Sequence, residues 1–195
     1  MTVFYRLGNA LYVNITNVCP SDCIFCIRNS TDSVGDAKSL WLEREPTLAE
    51  IILAFDKRKD LSEVSEVVFC GFGEPMVRAN DVIEISKYIK KIHPNLPIRV
   101  NTNGLVRLIH PSFDISKLSI VDSVSISLNA DTADEFVRLT KPSFGYESYA
   151  ELLKFAQDVK KFANVTLTVL DLLESERIKN CSRMAQEMGV AFRVR

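Results

Sequence analysis

The chain reads Leu11-Tyr12-Val13-Asn14-Ile15-Thr16 and, shortly afterwards, Cys19-Pro20-Ser21-Asp22-Cys23-Ile24-Phe25-Cys26. The first stretch predicts a β-strand. The second places three cysteines, spaced C-x₃-C-x₂-C, just beyond the strand's C-terminal end. Three thiolates on one short loop can bind three irons of a cubane, because iron–sulfur clusters are held through cysteine sulfur. The loop has no fourth cysteine, so the pattern predicts a cluster with one iron open to a ligand.

Two other uses of the cysteines are less well supported. A zinc site needs four tetrahedral ligands, and the candidates outside the loop, Cys70, Cys181, His93 and His110, lack a metal-like spacing. Cys181 falls on an apolar helical stripe, which predicts a core residue. A disulfide framework is disfavoured because the count of five cysteines is odd and three of them lie within eight residues.

The composition predicts one soluble domain spanning residues 1–195. Charge is nearly balanced, with 24 basic and 25 acidic residues, and the length suffices for a real core. The first residues lack the layout of a signal peptide, and no apolar run approaches the roughly 20 residues of a membrane helix. Basic clusters lie among acids, so nothing demands nucleic acid. We therefore expect a cytoplasmic protein with neither membrane nor clear nucleic-acid binding.

Short β-branched runs alternate with longer amphipathic runs, which is the pattern of βα units and a parallel sheet. A closed eight-unit barrel needs about 250 residues, more than this chain has. The sequence therefore predicts an α/β fold, an open partial (β/α)6 TIM-like barrel with outer helices. Its parallel strands are predicted near residues 11–17, 64–70, 97–102, 121–129, 164–170 and 190–195.

Helix boundaries follow from local signals. Capping boxes at Thr47-x-x-Glu50 and Ser148-x-x-Glu151 predict two helix starts. Asp171-x-x-Glu174 is interpreted as the cap of a last helix near 174–188, which ends before Gly189. Further helices are expected near 80–92 and, weakly, 114–119. The long connection 27–45 contains Trp41 and is expected either to close over the barrel or to be anchored to the core by that tryptophan.

Polar residues alternate with apolar ones along several strands, and this alternation predicts which face lines the barrel lumen. Since helices cover the outside, the apolar set should face outward and the polar set inward. A polar lumen indicates a polar ligand. The clearest case is strand four, where Ser123, Ser125, Ser127 and Asn129 alternate with Val124, Ile126 and Leu128.

The second predicted strand runs into Gly71-Phe72-Gly73-Glu74-Pro75. Glycines here allow the backbone to approach a ligand closely, and Glu74 can accept hydrogen bonds from an ammonium group. Alone, Gly-x-Gly-Glu-Pro is also an ordinary turn signal. Together with the cysteine loop, and with Phe25 just before the last cysteine, it resembles the radical S-adenosylmethionine (radical SAM) family.

This resemblance implies a [4Fe-4S] cluster on Cys19, Cys23 and Cys26, with S-adenosylmethionine at the open iron. The glycine motif would hold the cofactor's amino group, and the ends of strands three and four its ribose and carboxylate. The adenine would lie between Phe25 and the end of strand five. The implied cofactor-binding residues are Phe25, Gly71, Phe72, Gly73, Glu74, Pro75, Asn101, Thr102, Ser127, Asn129 and Leu170.

Within that family the chain looks most like the small subgroup associated with TatD-type metal-dependent hydrolases. The resembling stretches are Tyr5 to Tyr12, the cysteine loop with Ile27-Arg28-Asn29, Phe69 to Pro75, and Ser125 to Ala130. Phe72 departs from the family pattern, because many members have glycine there. The resemblance implies a functional link to such a hydrolase and an electron donor such as a flavodoxin or ferredoxin.

The implied activity is reductive cleavage of S-adenosylmethionine by an oxygen-sensitive enzyme. The resulting 5′-deoxyadenosyl radical would abstract hydrogen from a small, anionic or nucleoside-like substrate. Two alternatives stay open: an activating enzyme that installs a glycyl radical on a partner protein, and a non-enzymatic metal-binding scaffold for a hydrolase. For the substrate we predict contacts from Arg28, Arg193 and Arg195, although the last two are equally compatible with surface ion pairs.

Overall fold

Seven strands form one sheet in the order in which they follow one another along the chain. The computed structural model describes all residues, 1–195. β2 to β7 are mutually parallel, and β1 pairs antiparallel with β2. The two edge strands do not pair, so the predicted open partial barrel is confirmed. The strands are β1 Phe4–Leu7, β2 Ala10–Val13, β3 Glu66–Phe69, β4 Ile98–Thr102, β5 Ser123–Ser127, β6 Asn164–Val169 and β7 Ala191–Val194.

β1 is an element that the six-strand prediction lacks. It is joined to β2 by a tight hairpin, in which Gly8 takes a left-handed backbone conformation at φ +60°. Gly-Asn between two short apolar runs is a recognised hairpin signal. The remaining six strands coincide with the predicted ones, each somewhat shorter.

Helices cover the outer face of the sheet. They are α1 Leu48–Asp56, α2 Ala79–Ile92, α3 Val106–Ile109, α4 Ala133–Thr140, α5 Glu147–Val159 and α6 Ser175–Glu187. The capping box at Thr47 and Glu50 is formed in both directions, as predicted. The weak helix expected near 114–119 is a 3₁₀ helix, Ile115–Ile120. None of the helices combines the length and the apolar character that crossing a bilayer requires.

Two predicted helix caps are wrong. α5 starts at Glu147, so Ser148 lies inside the helix, fully buried, and its hydroxyl has no partner. Glu151 pairs with Arg107 of α3 instead of reaching back to the helix start. The cap of α6 is Glu174, not Asp171, whose amide donates to the carbonyl of Arg195 at 2.9 Å. In the first case a tertiary ion pair engages Glu151 in place of the local motif. Gly189, at φ +64°, does follow the end of α6.

The main hydrophobic core lies between the sheet's outer face and the helices. It contains Val124 and Ile126 of β5, and also Cys181, as predicted. Ser125 and Ser127 lie on the opposite face of the same strand. The core thus leaves the inner, concave face of the sheet free for polar groups.

The connection 27–45 packs along the β1–β2 hairpin. Asn14 Nδ2 donates to the carbonyl of Leu40 at 2.7 Å, and the amide of Asp36 donates to the carbonyl of Arg6 at 3.0 Å. The Trp41 ring meets the ring of Phe72 edge-on, with centroids 5.0 Å apart. The segment is therefore anchored to the protein, but through the buried Leu40 and Leu42, whereas the Trp41 side chain is exposed.

Candidate functional site

A cavity of about 410 Å³ opens where the parallel strands end. Its walls come from the cysteine loop and from the residues that follow β3, β4, β5, β6 and β7. Strand ends meet at one edge of a parallel sheet, which is why residues far apart in sequence converge here. The predicted site residues that line the cavity are Cys19, Cys23, Phe25, Cys26, Gly71, Gly73, Glu74, Pro75, Asn101, Thr102, Ser127, Asn129, Leu170 and Arg195.

Three predicted site residues lie elsewhere. Phe72 is buried in a small apolar cluster with Tyr5 and Leu40, so it packs beneath the motif. Arg28 contacts the back of the cysteine loop, with Nη2 3.4 Å from the carboxylate of Asp22. Arg193 is exposed and does not line the cavity.

Hydrogen bonds to the C-terminal end of α4 hold the cysteine loop in place. The amide of Asp22 donates to the carbonyl of Thr140 at 3.1 Å, and that of Ile24 to Leu139 at 3.0 Å. Just beyond the helix, the amide of Ser143 donates to the carbonyl of Pro20 at 2.8 Å. The loop that presents the thiols is thus positioned by a helix more than a hundred residues away in sequence.

Burial keeps the thiols of Cys19 and Cys23 neutral in the metal-free protein. It raises the pKa of Cys19 to about 11 and that of Cys23 to about 12, while the nearby Arg28 acts in the opposite direction. Binding of iron must therefore displace protons from these sulfurs. No three His, Cys, Asp or Glu side chains converge as they would around a single metal ion. A cubane imposes no such convergence, because each cysteine binds a different iron.

The two glycines of the Gly71–Pro75 motif line the cavity and also make close contacts with the rest of the protein. A Cβ on Gly73 would lie 2.4 Å from the carbonyl oxygen of Thr16, and one on Gly71 would overlap the side chain of Asn14. The amide of Gly73 donates to the carbonyl of Thr16 at 3.1 Å, and that of Glu74 donates to Val18 at 2.9 Å. The glycines let the motif lie directly against the segment that leads into the cysteine loop.

Glu74 is buried and fastens the end of β3 to the end of β4. Its Oε1 accepts hydrogen bonds from the Thr102 hydroxyl at 2.7 Å and the Met76 amide at 3.0 Å, and its Oε2 accepts from the Asn103 amide at 2.7 Å. Burial raises the pKa of Glu74 to about 7, and the three donors limit that rise. A carboxylate can accept about four hydrogen bonds, so one position is still free to face the cavity.

We expect Glu74 to titrate near pH 7, as followed by carbon-13 NMR of the glutamate carboxyl groups in the metal-free protein. Thr102→Val should move the midpoint further upward, because it removes a donor that stabilises the carboxylate. Thr168→Val, at a buried threonine that bonds to Ile126 instead, is the matched control and should leave the midpoint unchanged. A midpoint near 4.5 in the parent protein would contradict this description of the site.

Asn129 also shows that the cavity is built for a ligand. It adopts a left-handed backbone conformation at φ +54°, and its buried Oδ1 has no hydrogen-bond partner. Asn103 Nδ2 is a second buried group without a partner. Buried polar groups are nearly always paired, so an acceptor and a donor left free beside the cavity fit a bound polar molecule. The residues present therefore fit both a cluster and a small polar cofactor.

Some cavity residues have no role in the sequence-based prediction. Cys70 closes the end of β3, and Ser21 also lines the cavity, whereas Asn103 belongs to the end of strand three that the resemblance assigned to the cofactor's ribose or carboxylate. Cys70 could have been found from its position next to the glycine motif. A second cavity of about 540 Å³ lies beside the first and shares Phe25, Asn129 and Leu170 with it. No short sequence motif predicts that cavity, because its other walls come mainly from α4 and from the connection to α6.

Residues 13–182 match the family model of the Radical SAM superfamily. The chain belongs to that superfamily. Radical SAM proteins use a [4Fe-4S] cluster and S-adenosylmethionine. The cysteine loop has the thiols that such a cluster needs, and the cavity that it lines has room and polar groups for the second cofactor.

The chain is similar to several curated radical SAM proteins. A probable GTP 3′,8-cyclase of Saccharolobus islandicus is 26% identical over 187 residues, which are 96% of this chain and 56% of that protein. A probable dual-specificity RNA methyltransferase RlmN of Petrotoga mobilis is 31% identical over 139 residues, 67% of this chain and 36% of that protein.

A putative glycyl-radical enzyme activating enzyme of Methanocaldococcus jannaschii is 23% identical over 116 residues. Those residues are 58% of this chain and 40% of that protein. The chain thus spans little more than half the length of these relatives at most. The similarity concerns the domain that they share with it.

Proposed function

We propose that this protein is a radical SAM enzyme that acts on a small molecule. When bound, the reduced [4Fe-4S] cluster supplies reductive cleavage of S-adenosylmethionine to methionine and a 5′-deoxyadenosyl radical, which abstracts hydrogen from the substrate. The observation that carries the proposal is that three thiols of one loop line the same cavity as Glu74 and Asn129.

The chain's own residues have distinct parts in this proposal. Cys19, Cys23 and Cys26 hold the cluster, and the free acceptor position of Glu74 receives the cofactor's ammonium group. Asn129 offers its unpaired carbonyl oxygen to a hydroxyl or an amine. Phe25 and Leu170 supply apolar surfaces between which a flat base can lie. A radical formed among these walls is shielded from bulk water.

Pockets of 300–1,000 Å³ are typical for small ligands, and the neighbouring cavity of about 540 Å³, which shares Phe25, Asn129 and Leu170 with the cofactor cavity, lies in this range. The second candidate is activation of a partner protein by a glycyl radical, and the similarity to the Methanocaldococcus jannaschii protein favours it. A metal-binding scaffold without activity is the weakest candidate. Unpaired buried polar groups around a cavity are costly, and a scaffold has no use for them.

Finer assignments follow from the same proposal. We place the chain in the radical SAM subgroup associated with TatD-type hydrolases, on the stretches Tyr5 to Tyr12 and Ser125 to Ala130. An electron donor such as a flavodoxin or a ferredoxin would reduce the cluster. The free cysteines suit a reducing compartment such as the cytoplasm.

An anaerobic assay on fractionated cell extract tests the kind of substrate. The extract is separated by size into small molecules and proteins, and each fraction is added to reduced enzyme with S-adenosylmethionine. We expect the small-molecule fraction to stimulate 5′-deoxyadenosine formation several-fold above the uncoupled rate. Stimulation by the protein fraction alone would favour the glycyl-radical alternative instead. Boiled fractions and enzyme without reductant are the controls.

A further inference from the structure

Arg195 is the only cationic side chain that lines the cavity, and it has no acidic partner. Its one side-chain hydrogen bond goes from Nη2 to the hydroxyl oxygen of Ser127 at 3.1 Å. Arg99, on the same face of the sheet, is different. It donates to both carboxylate oxygens of Glu66, at 2.7 and 3.0 Å, so its charge is compensated.

The electrostatics of the cavity leave the charge of Arg195 uncompensated. Glu74 is the only acidic residue in the lining, and it already accepts three protein hydrogen bonds. Burial of the Arg195 guanidinium, together with the nearby Arg193 and Arg99, lowers the pKa of Arg195. Arg195 as a whole is exposed, so it lies at the rim of the cavity, where a cation without an acidic partner gains free energy when an anion binds beside it.

Two neutral donors accompany this cation. Because the Ser127 oxygen accepts from Arg195, the serine's own hydrogen is free to point into the cavity. The Asn101 carbonyl oxygen accepts from Arg99 Nη1 at 2.8 Å, which turns its amide nitrogen away from Arg99 and towards the Cys70 thiol. The cavity thus presents a guanidinium, a hydroxyl hydrogen and an amide nitrogen whose partner is the weakly accepting sulfur of Cys70.

We propose that Arg195, Ser127 and Asn101 form a subsite for an oxyanion of the substrate, a phosphate or a carboxylate group. This rests on the proposed function, because it takes the anion to be part of the molecule from which hydrogen is abstracted. A guanidinium matches both groups through paired, charge-assisted hydrogen bonds. The subsite assigns Asn101 and Ser127 to the substrate and leaves Glu74 and Asn129 to the cofactor. It also separates Arg195 from Arg193, which has the same strand parity but does not line the cavity.

Anaerobic calorimetry on the reconstituted protein at low ionic strength tests the subsite. Inorganic phosphate and acetate are titrated separately, so that the two sources of the oxyanion are distinguished. We expect one of them to bind, and Arg195→Gln to weaken it by about tenfold or more, since a hydrogen bond to a charged group is lost. Arg195→Lys should recover part of the affinity because it keeps the charge. Arg183→Gln, an exposed arginine on α6, is the charge-matched control and should bind normally.

Two further measurements on the same samples distinguish a failure of the anion subsite from a failure of the proposed function. Iron content and the affinity for S-adenosylmethionine should be the same in the parent protein and in Arg195→Gln. Weakened cofactor binding in that variant would overturn the subsite, because Arg195 would then hold the cofactor's carboxylate. Unchanged anion binding in Arg195→Gln, or no anion binding by the parent protein, would overturn it as well. A failure of the parent protein to bind iron would count against the proposed function alone, and anion binding by the metal-free protein would still test the subsite.

Discussion

Replacing any one of Cys19, Cys23 or Cys26 by alanine is expected to abolish cluster assembly and cleavage of S-adenosylmethionine. Each thiol lines the cavity, and the chain has no spare cysteine on this loop to take its place. The fold should survive, because these residues are only partly buried and lie outside the hydrophobic core. The measurement is iron and sulfide content together with 5′-deoxyadenosine formation after anaerobic reconstitution.

Cys181→Ala is the matched control for these variants. Cys181, on α6, is fully buried in the core, so its loss removes a few apolar contacts and costs about 1 kcal/mol of stability. It should leave the iron content and the cleavage activity unchanged. Full cleavage activity in a Cys23→Ala protein would contradict the assignment of the cluster to this loop.

Gly73→Ala is expected to have the largest effect on stability, lowering the free energy of unfolding by about 3 kcal/mol. Its new methyl group would meet the backbone oxygens of Thr16 at 2.4 Å and Val18 at 2.7 Å, and neither belongs to a side chain that can turn away. The overlap can be relieved only if the Gly71–Pro75 motif moves away from the segment that leads into the cysteine loop. Two backbone hydrogen bonds across this contact would weaken, and iron incorporation should fall in parallel.

Gly8→Ala is the comparison for that variant. Gly8 also has an unusual backbone conformation, at φ +60°, but no atom lies within 4 Å of the added methyl group. Only the strain of a left-handed alanine remains, which costs about 1 kcal/mol. Urea denaturation of both variants, with iron content measured on the same samples, checks the prediction. Equal losses of stability would show that the close approach at Gly73 is unimportant.

The elements that the sequence predicts correctly rest on short-range patterns. Strand order follows from alternating runs of residues, the start of α1 from the Thr47 capping box, and the face of β5 from its period of two. The cysteine loop is recognisable because its ligands are neighbours in sequence. Each of these features depends on residues a few positions apart, so a single sequence contains the whole signal.

What the sequence could not predict depends on contacts between distant residues. Glu74 was expected to face a ligand, but most of its hydrogen-bonding capacity is used by Met76, Thr102 and Asn103. The glycines of its motif proved to be required by backbone packing. Arg193 and Arg195 have the same parity, but only Arg195, just beyond the C-terminal end of β7, lines the cavity. Such distinctions need the three-dimensional path of the chain.

The most direct test of the proposed radical SAM activity is one anaerobic measurement on the parent protein. After reconstitution with iron and sulfide, the protein is given S-adenosylmethionine and a strong reductant, and its products are quantified. We expect about four irons per chain and equal amounts of methionine and 5′-deoxyadenosine. A colourless protein that takes up zinc in place of iron and forms no 5′-deoxyadenosine would contradict it.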